Sequence, residues 1–163
     1  MRDQIIVCDT REQKDSHITE WFQMNGVRTV RSKLYVGDYA LLNDQSLCID
    51  RKAGMQEVYG NLIQQHKRFK AELVRAQEAN IKMVILIEEP ELRTVADVAE
   101  WKNPRWGIWV KRGRKGYPPV PSVSLMKAMN TIAERYDVSW EFCDKGQTAQ
   151  RIYDILMNGG GIK

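Results

Sequence analysis

Hydrophobic and polar positions along this chain predict an alternation of β-strands and α-helices. Short apolar or β-branched runs, typical of buried strands, occur at residues 4–8, 39–42, 46–50, 82–87 and 138–143. Residues 27–34 alternate between polar and apolar side chains. We expect them to form an antiparallel meander with the two strands that follow along the chain.

Apolar positions spaced three and four apart predict helices elsewhere. These segments are residues 16–24, 55–80, 95–101, 122–135 and 148–157, of which 55–80 is expected to be one long helix. Residues 102–121 lack this periodicity. The pattern predicts an α/β fold with a mixed central β-sheet flanked by helices. We expect a single domain over residues 1–158 and a flexible glycine-rich tail at 159–163.

Composition favours nucleic acid as a partner. The chain has 163 residues, a net charge of +4 and an isoelectric point near 9.0. Its three cysteines are odd in number and widely spaced, which argues against a disulfide framework or a zinc site. No apolar stretch approaches the roughly 20 residues that span a bilayer, and no signal peptide is recognised. We therefore expect a cytoplasmic protein without membrane association.

Acidic and basic residues cluster at the ends of the predicted strands. Asp38 precedes one strand, Asp50 ends the next, and Lys52 follows two positions later. A tight turn between these strands would bring the two aspartates together, where they could share Mg²⁺ or Mn²⁺. Lys52 would orient the attacking water, and the backbone carbonyl of Arg51 could add a ligand. This set predicts phosphodiester hydrolysis, although Asp50 and Lys52 could instead form a simple cross-strand ion pair.

A second acidic segment follows the first strand. Asp9 is a candidate metal ligand, and Glu12 is a candidate ligand or supporting carboxylate. Arg11 would hold the scissile phosphate or an active-site carboxylate. The alternative is that these residues cap the following helix or form structural ion pairs. His17, like His66, is isolated in the sequence, and we expect neither a metal ligand nor a general base there.

These segments together resemble the XPF-type structure-specific endonucleases, a branch of the restriction-endonuclease-like superfamily. The matching elements are Asp9-Thr10-Arg11-Glu12, Gly37-Asp38-Tyr39 and Asp50-Arg51-Lys52, within residues 4–88. The family signature has Glu where Asp50 stands and a further acid where Gln56 stands, so Glu57 is the nearest substitute. The remainder looks like compact phage and bacterial members, which would place the protein in a bacterial host cytoplasm if it is phage-encoded.

The resemblance implies a restriction-endonuclease-like fold, divalent metal, cleavage of branched or flap DNA in repair or recombination, and a homodimer. The helices at 122–135 and 148–157 either build a two-fold interface or cover the sheet. The tandem helix-hairpin-helix module common in this family is not recognised, so other residues must supply affinity for DNA. A Holliday-junction resolvase of the same fold and a non-catalytic DNA-binding or scaffold relative remain alternatives.

Basic and aromatic residues mark residues 102–117 as the expected DNA-binding segment. Such a mixture suits phosphate neutralisation together with stacking on unpaired bases. Alternatively, the segment is an exposed basic loop that its tryptophans merely attach to the core. Arg68 on the long predicted helix lines the DNA channel or belongs to a solvated face. The candidate DNA-binding residues are Lys102, Arg105, Lys111, Arg112, Arg114, Lys115 and Arg68.

Overall fold

The computed structural model describes residues 4 to 159, in which six strands form one mixed sheet. The strands are β1 (Ile5–Cys8), β2 (Arg28–Arg31), β3 (Tyr39–Leu41), β4 (Asp44–Lys52), β5 (Lys82–Glu88) and β6 (Val138–Cys143). Their order across the sheet is β2-β1-β3-β4-β5-β6. β3 runs antiparallel to both of its neighbours, and the other pairs are parallel.

Helices cover both faces of this sheet. They are α1 (Ser16–Met24), α2 (Met55–Tyr59), α3 (His66–Glu78), α4 (Arg105–Lys111), α5 (Ser122–Tyr136) and α6 (Thr148–Met157). α1 and α6 pack on one face, whereas α2, α3 and α5 pack on the other. β5 is apolar throughout its centre because Val84 and Leu86 face the first layer while Met83, Ile85 and Ile87 face the second. The predicted α/β fold with a mixed, helix-flanked sheet is confirmed.

The predicted antiparallel meander is wrong for its first strand. β2 lies at the sheet edge and pairs in parallel with β1, while β3 inserts between β1 and β4. β1 and β2 are joined through α1, which is the right-length crossover for a parallel pair. Alternation in residues 27–34 indicates a half-exposed strand but does not identify its partner.

The single helix expected over residues 55–80 is also wrong. α2 ends at Tyr59, a wider π-helical turn follows over Gly60–Gln64, and α3 starts after the non-helical Gln65 (φ −117°). The apolar stripe continues across this irregular turn, so periodicity alone predicts one helix. Residues 102–121, expected to be irregular, contain the short helix α4. Residues 160–163 of the predicted tail lie outside the described residues.

α5 and α6 cover the sheet. α5 buries Leu125 and Met129 on one face, and α6 buries Ile152 and Ile155 on the other. Within residues 4–159, no helix is both long and apolar enough to cross a membrane.

Candidate active site

The last residues of β4 divide between the two faces of the sheet because strand side chains alternate. Asp50 and Lys52 point towards α3, and the Lys52 ammonium lies 5.6 Å from the centre of the Phe69 ring. Arg51, between them, points to the opposite face, towards α1 and α6. Asp50 and Lys52 are only 5% and 8% exposed. The pair is therefore largely shielded from solvent, where charge–charge interactions are strong.

Asp38 reaches the same place from the turn before β3. Its backbone N–H donates to the Ile49 carbonyl, and its Oδ2 accepts the Arg51 backbone N–H, both at 2.8 Å. The preceding Gly37 adopts φ +75°, and a Cβ there would lie 2.9 Å from Cys48 Sγ. Only glycine therefore fits this close approach of the turn to β4.

The carboxylates of Asp38 and Asp50 are neighbours, as predicted from the turn. Burial, together with the charges of Asp50 and Glu12, raises the pKa of Asp38 well above its usual range. Lys52 Nζ lies 3.1 Å from the buried Asp50 Oδ2 and forms an ion pair with it. Burial lowers the pKa of Lys52, yet attraction to Asp50 and Glu57 outweighs this effect, so the net shift is upward and the ammonium is charged.

Glu72 on α3 is a further acid at this site that the sequence analysis did not single out. Its Oε1 accepts the Gly37 backbone N–H at 3.3 Å. Burial and the nearby charge of Asp50 raise its pKa. The available signal was its position: Glu72 lies one residue before the buried Leu73 and three after Phe69, on the flank of the apolar stripe of α3.

The Arg51 side chain belongs to a buried ion-pair network behind the site. Its guanidinium donates to both carboxylate oxygens of Glu12 at 3.0 and 3.2 Å, to Glu88 Oε1 at 2.7 Å and to the Gln13 carbonyl at 3.0 Å. Glu88 Oε2 also contacts His17 Nε2 at 2.6 Å, so His17 has a partner in the structure. The side chains of Arg51 and Glu12 thus connect the segment after β1 to β4 and β5, away from Asp50 and Lys52.

Both carboxylate oxygens of Asp9 accept hydrogen bonds from neighbouring residues. Its Oδ2 accepts Arg11 Nε and its Oδ1 accepts the Leu34 backbone N–H, both at 2.8 Å. Burial opposes ionisation, but these hydrogen bonds prevail and lower the pKa of Asp9. Arg11 remains 58% exposed. Its predicted contact with an active-site carboxylate is the one to Asp9, and the predicted metal-ligand role of Asp9 stays a prediction.

Position 56, where the family resemblance expects an acid, takes part in a different contact. Gln56 Oε1 accepts a hydrogen bond from Arg105 Nη1 at 2.8 Å. Glu57 turns back onto the Ala53 backbone N–H at 2.9 Å. Glu57 therefore bonds to the backbone just before α2 and contributes charge near Lys52, and it does not occupy the position of the Gln56 side chain.

This donor set suits a hard divalent cation. Two adjoining carboxylates, with Glu72 nearby, form an oxygen-rich and negatively charged group. Among residues 4–159, no three His, Cys, Asp or Glu side chains are arranged to hold one ion. Mg²⁺ commonly completes a partial site of carboxylates with water and substrate oxygens.

The predicted DNA-binding segment projects from the fold. α4 has no buried residue, and its tryptophans Trp106 and Trp109 pack edge to face on each other, 5.8 Å apart. They do not belong to either core cluster. DNA binding by this segment stays a prediction. Arg68 lies on the exposed side of α3.

Comparisons with known proteins agree with this geometry. The model of the ERCC4 domain family matches residues 8–155. The solved structure of XPF from Aeropyrum pernix is similar, with a TM-score of 0.66 and 19% identity over 96% of this chain. XPF from Aeropyrum pernix in complex with DNA gives a TM-score of 0.64 and 20% identity over 96% of this chain. The chain spans 65% of the length of each of those two chains. No curated protein matches at a significant level of sequence similarity.

Proposed function

The chain belongs to the ERCC4 domain family, and from this membership and its site we propose that it is a divalent-metal-dependent DNA endonuclease. The observation that carries the proposal is the pair of adjoining carboxylates of Asp38 and Asp50 beside the buried Lys52, which is ion-paired with Asp50. Lys52 can balance only one of two such negative charges, so a bound divalent cation would stabilise the pair. The reaction would be hydrolysis of a phosphodiester bond, with branched or flap DNA as substrate.

Asp38 and Asp50 would hold Mg²⁺ or Mn²⁺. Such an ion supplies Lewis-acid stabilisation of the phosphoryl oxygens and lowers the pKa of a bound water. The backbone N–H of Arg51 keeps the Asp38 carboxylate in a fixed orientation for this role. The backbone carbonyl of Arg51 remains a candidate ligand, and Asp9 would support the site through Arg11.

Lys52 and Arg11 supply positive charge. Since Lys52 is held protonated by Asp50, its role would be to orient the water and stabilise developing negative charge rather than to accept a proton. Arg11 donates hydrogen bonds from Nε and Nη2 to the Asp9 carboxylate and from Nη2 to the Leu34 carbonyl. Its Nη1 has no partner among the described residues, so it can donate to the scissile phosphate.

Glu12 and the Arg51 side chain would act by position. Their ion pair fixes the segment that carries Asp9 and Arg11 against β4, which carries Asp50 and Lys52. We propose that this network maintains the separation between the phosphate-binding and metal-binding sides of the site.

DNA is the proposed partner, and the DNA complex of the similar Aeropyrum pernix XPF supports this proposal. We further propose that the protein forms a homodimer and is located in the cytoplasm. The three cysteines within the described residues are free and buried, which suits a reducing compartment. Light scattering over a dilution series tests the dimer, and a monomer at micromolar concentration would exclude it.

Cleavage of end-labelled DNA tests the activity. Linear, flap, fork and four-way-junction substrates are incubated with Mg²⁺, Mn²⁺ or EDTA. We expect metal-dependent cutting that is lost in Asp50→Asn and Lys52→Ala. Asp44→Asn is the matched control because Asp44 lies at the exposed start of the same strand. Preference for four-way junctions would favour the resolvase alternative, and DNA binding without any cutting would favour the scaffold.

A further inference from the structure

Residues 102–121 form an arm whose two ends are held together at its base. Ser122 Oγ donates to the Trp101 carbonyl at 2.6 Å, so the chain leaves and rejoins the fold at one point. Between these ends, α4 runs outward and a glycine-containing loop returns. The two limbs are tied where Trp109 Nε1 donates to the Gly116 carbonyl at 3.4 Å. The segment is thus an ordered projection.

The arm presents apolar and aromatic surface to solvent. Ile108 and Val110 are 48% and 45% exposed, and Tyr117 is 97% exposed. Trp106 and Trp109 are half-buried and pack edge to face on each other, and Trp109 also bonds to the returning loop. Several exposed apolar and aromatic side chains on one segment indicate a surface for binding a ligand or another macromolecule.

Charge on the arm identifies the occupant. The arm carries six Lys or Arg residues and no Asp or Glu. The Arg114 guanidinium lies 5.9 Å from the centre of the Trp109 ring, which places a cation beside an aromatic face. Cations beside aromatic faces bind a single nucleic-acid strand, in which phosphates and base faces are both accessible. In a duplex, the bases are stacked on each other and cannot stack on these rings.

One buried residue, Tyr59, holds both limbs of the arm. Its ring carries the Arg105 guanidinium, 4.5 Å from the ring centre, at the start of α4. Its hydroxyl oxygen accepts the Val120 backbone N–H at 2.8 Å, at the end of the arm. Tyr59 is 4% exposed and lies on α2, which begins three residues after Lys52. The hydrogen bond from Arg105 to Gln56 attaches the arm to the same helix.

We propose that the arm is a binding site for an unpaired nucleic-acid strand and that Tyr59 is a positioning residue that keeps this site in register with Asp38 and Asp50. The binding part stands independently of the proposed endonuclease function, whereas the register with cleavage rests on it. A strand held by the arm would place the adjoining duplex against the catalytic carboxylates. The arm would thereby direct cleavage to the duplex next to the point where a single-stranded branch begins.

Binding is measured in EDTA by anisotropy of a labelled oligothymidylate of about 12 nucleotides and of a hairpin duplex. We expect Trp109→Ala to weaken oligothymidylate binding by about tenfold and duplex binding by less than about twofold. Trp109→Phe should restore most of the difference. Met24→Ala removes an exposed apolar side chain outside the arm and should change neither. Equal losses on both DNAs, or no binding of oligothymidylate, would overturn the proposal. Self-association relieved by Trp109→Ala would identify a second copy as the occupant and would overturn it too.

Tyr59→Phe tests the register because it removes only the hydrogen bond to Val120 and keeps the ring beneath Arg105. We expect oligothymidylate binding to stay within about twofold of wild type. On a fork, cuts should spread from one phosphate to its neighbours. Deuterium exchange of the Val120 amide should accelerate while amides of β5 remain protected. If wild type cuts no DNA, the proposed function fails. The binding data then still test whether the arm binds an unpaired strand, and the Val120 exchange still tests whether Tyr59 anchors the arm. Unchanged exchange together with an unchanged cutting position would remove Tyr59 from its role.

Discussion

Replacing Arg51 by methionine tests whether this side chain stabilises the fold rather than taking part in hydrolysis. Methionine keeps the length and apolar contacts of the side chain but removes its donors. Glu12 and Glu88, whose side chains are 9% and 4% exposed, would then face each other without the guanidinium between them. The Arg51 backbone N–H, which holds Asp38, would be retained.

The expected loss follows from the burial of this network. Removing one member of a buried ion pair typically lowers the free energy of unfolding by about 3–5 kcal/mol, since the remaining charge is left unpaired. For a domain of this size, each kcal/mol corresponds to about 2–4 °C in Tm. We therefore expect Tm to fall by roughly 6–20 °C. Arg151→Met is the matched control, because the Arg151–Glu141 pair is more exposed, and we expect it to lose at most about 1 kcal/mol.

Urea unfolding followed by tryptophan fluorescence measures both variants at neutral pH. The double variant Arg51→Met/Glu88→Gln should regain part of the loss, because it also removes the buried charge that Arg51 had compensated. Metal-dependent cleavage by Arg51→Met should persist well below its Tm. If the losses in unfolding free energy of Arg51→Met and Arg151→Met differed by less than about 0.5 kcal/mol, the reasoning would be refuted. A stable Arg51→Met that no longer cleaves would instead make Arg51 a catalytic side chain.

Further predictions concern metal, pH and backbone conformation. Mg²⁺ or Mn²⁺ at about ten times its Kd should raise Tm by about 3–5 °C, and Asp50→Asn should abolish this shift in a thermal melt. Burial raises the pKa of Glu88, but hydrogen bonds from Thr148 and His17 prevail and lower it. The stability advantage of wild type over Glu88→Gln should therefore be complete near neutral pH and decline below about pH 5, measured by urea unfolding. Gly37→Ala should lose more stability than Gly26→Ala, which has φ +68° but no atom within 4 Å of the new Cβ. Gly26→Ala should lose about 1–2 kcal/mol for the left-handed backbone alone, and equal losses would contradict the steric argument.

Residues close in sequence made much of the site predictable. Asp38 directly precedes β3 and Asp50 lies on β4, and a tight turn joins these two strands, so the proximity of the two aspartates follows from chain connectivity. Lys52 shares a face with Asp50 because strand side chains alternate. Glu72 approaches from a helix 22 positions beyond Asp50, and Glu88 reaches Arg51 from a neighbouring strand, so local patterns did not reveal either contact.

The sequence by itself determined the α/β class, most element bounds and the family to which the chain belongs. These features depend on local periodicity and on short motifs, which a single segment carries. Only the tertiary structure decided that β2 pairs with β1, that the Arg51 side chain lies behind the site and that Tyr59 anchors the arm. Each of these depends on which distant groups share a face or an edge of the sheet. That choice is made by packing of the whole core, because no local propensity specifies the partner of a strand or of a buried charge.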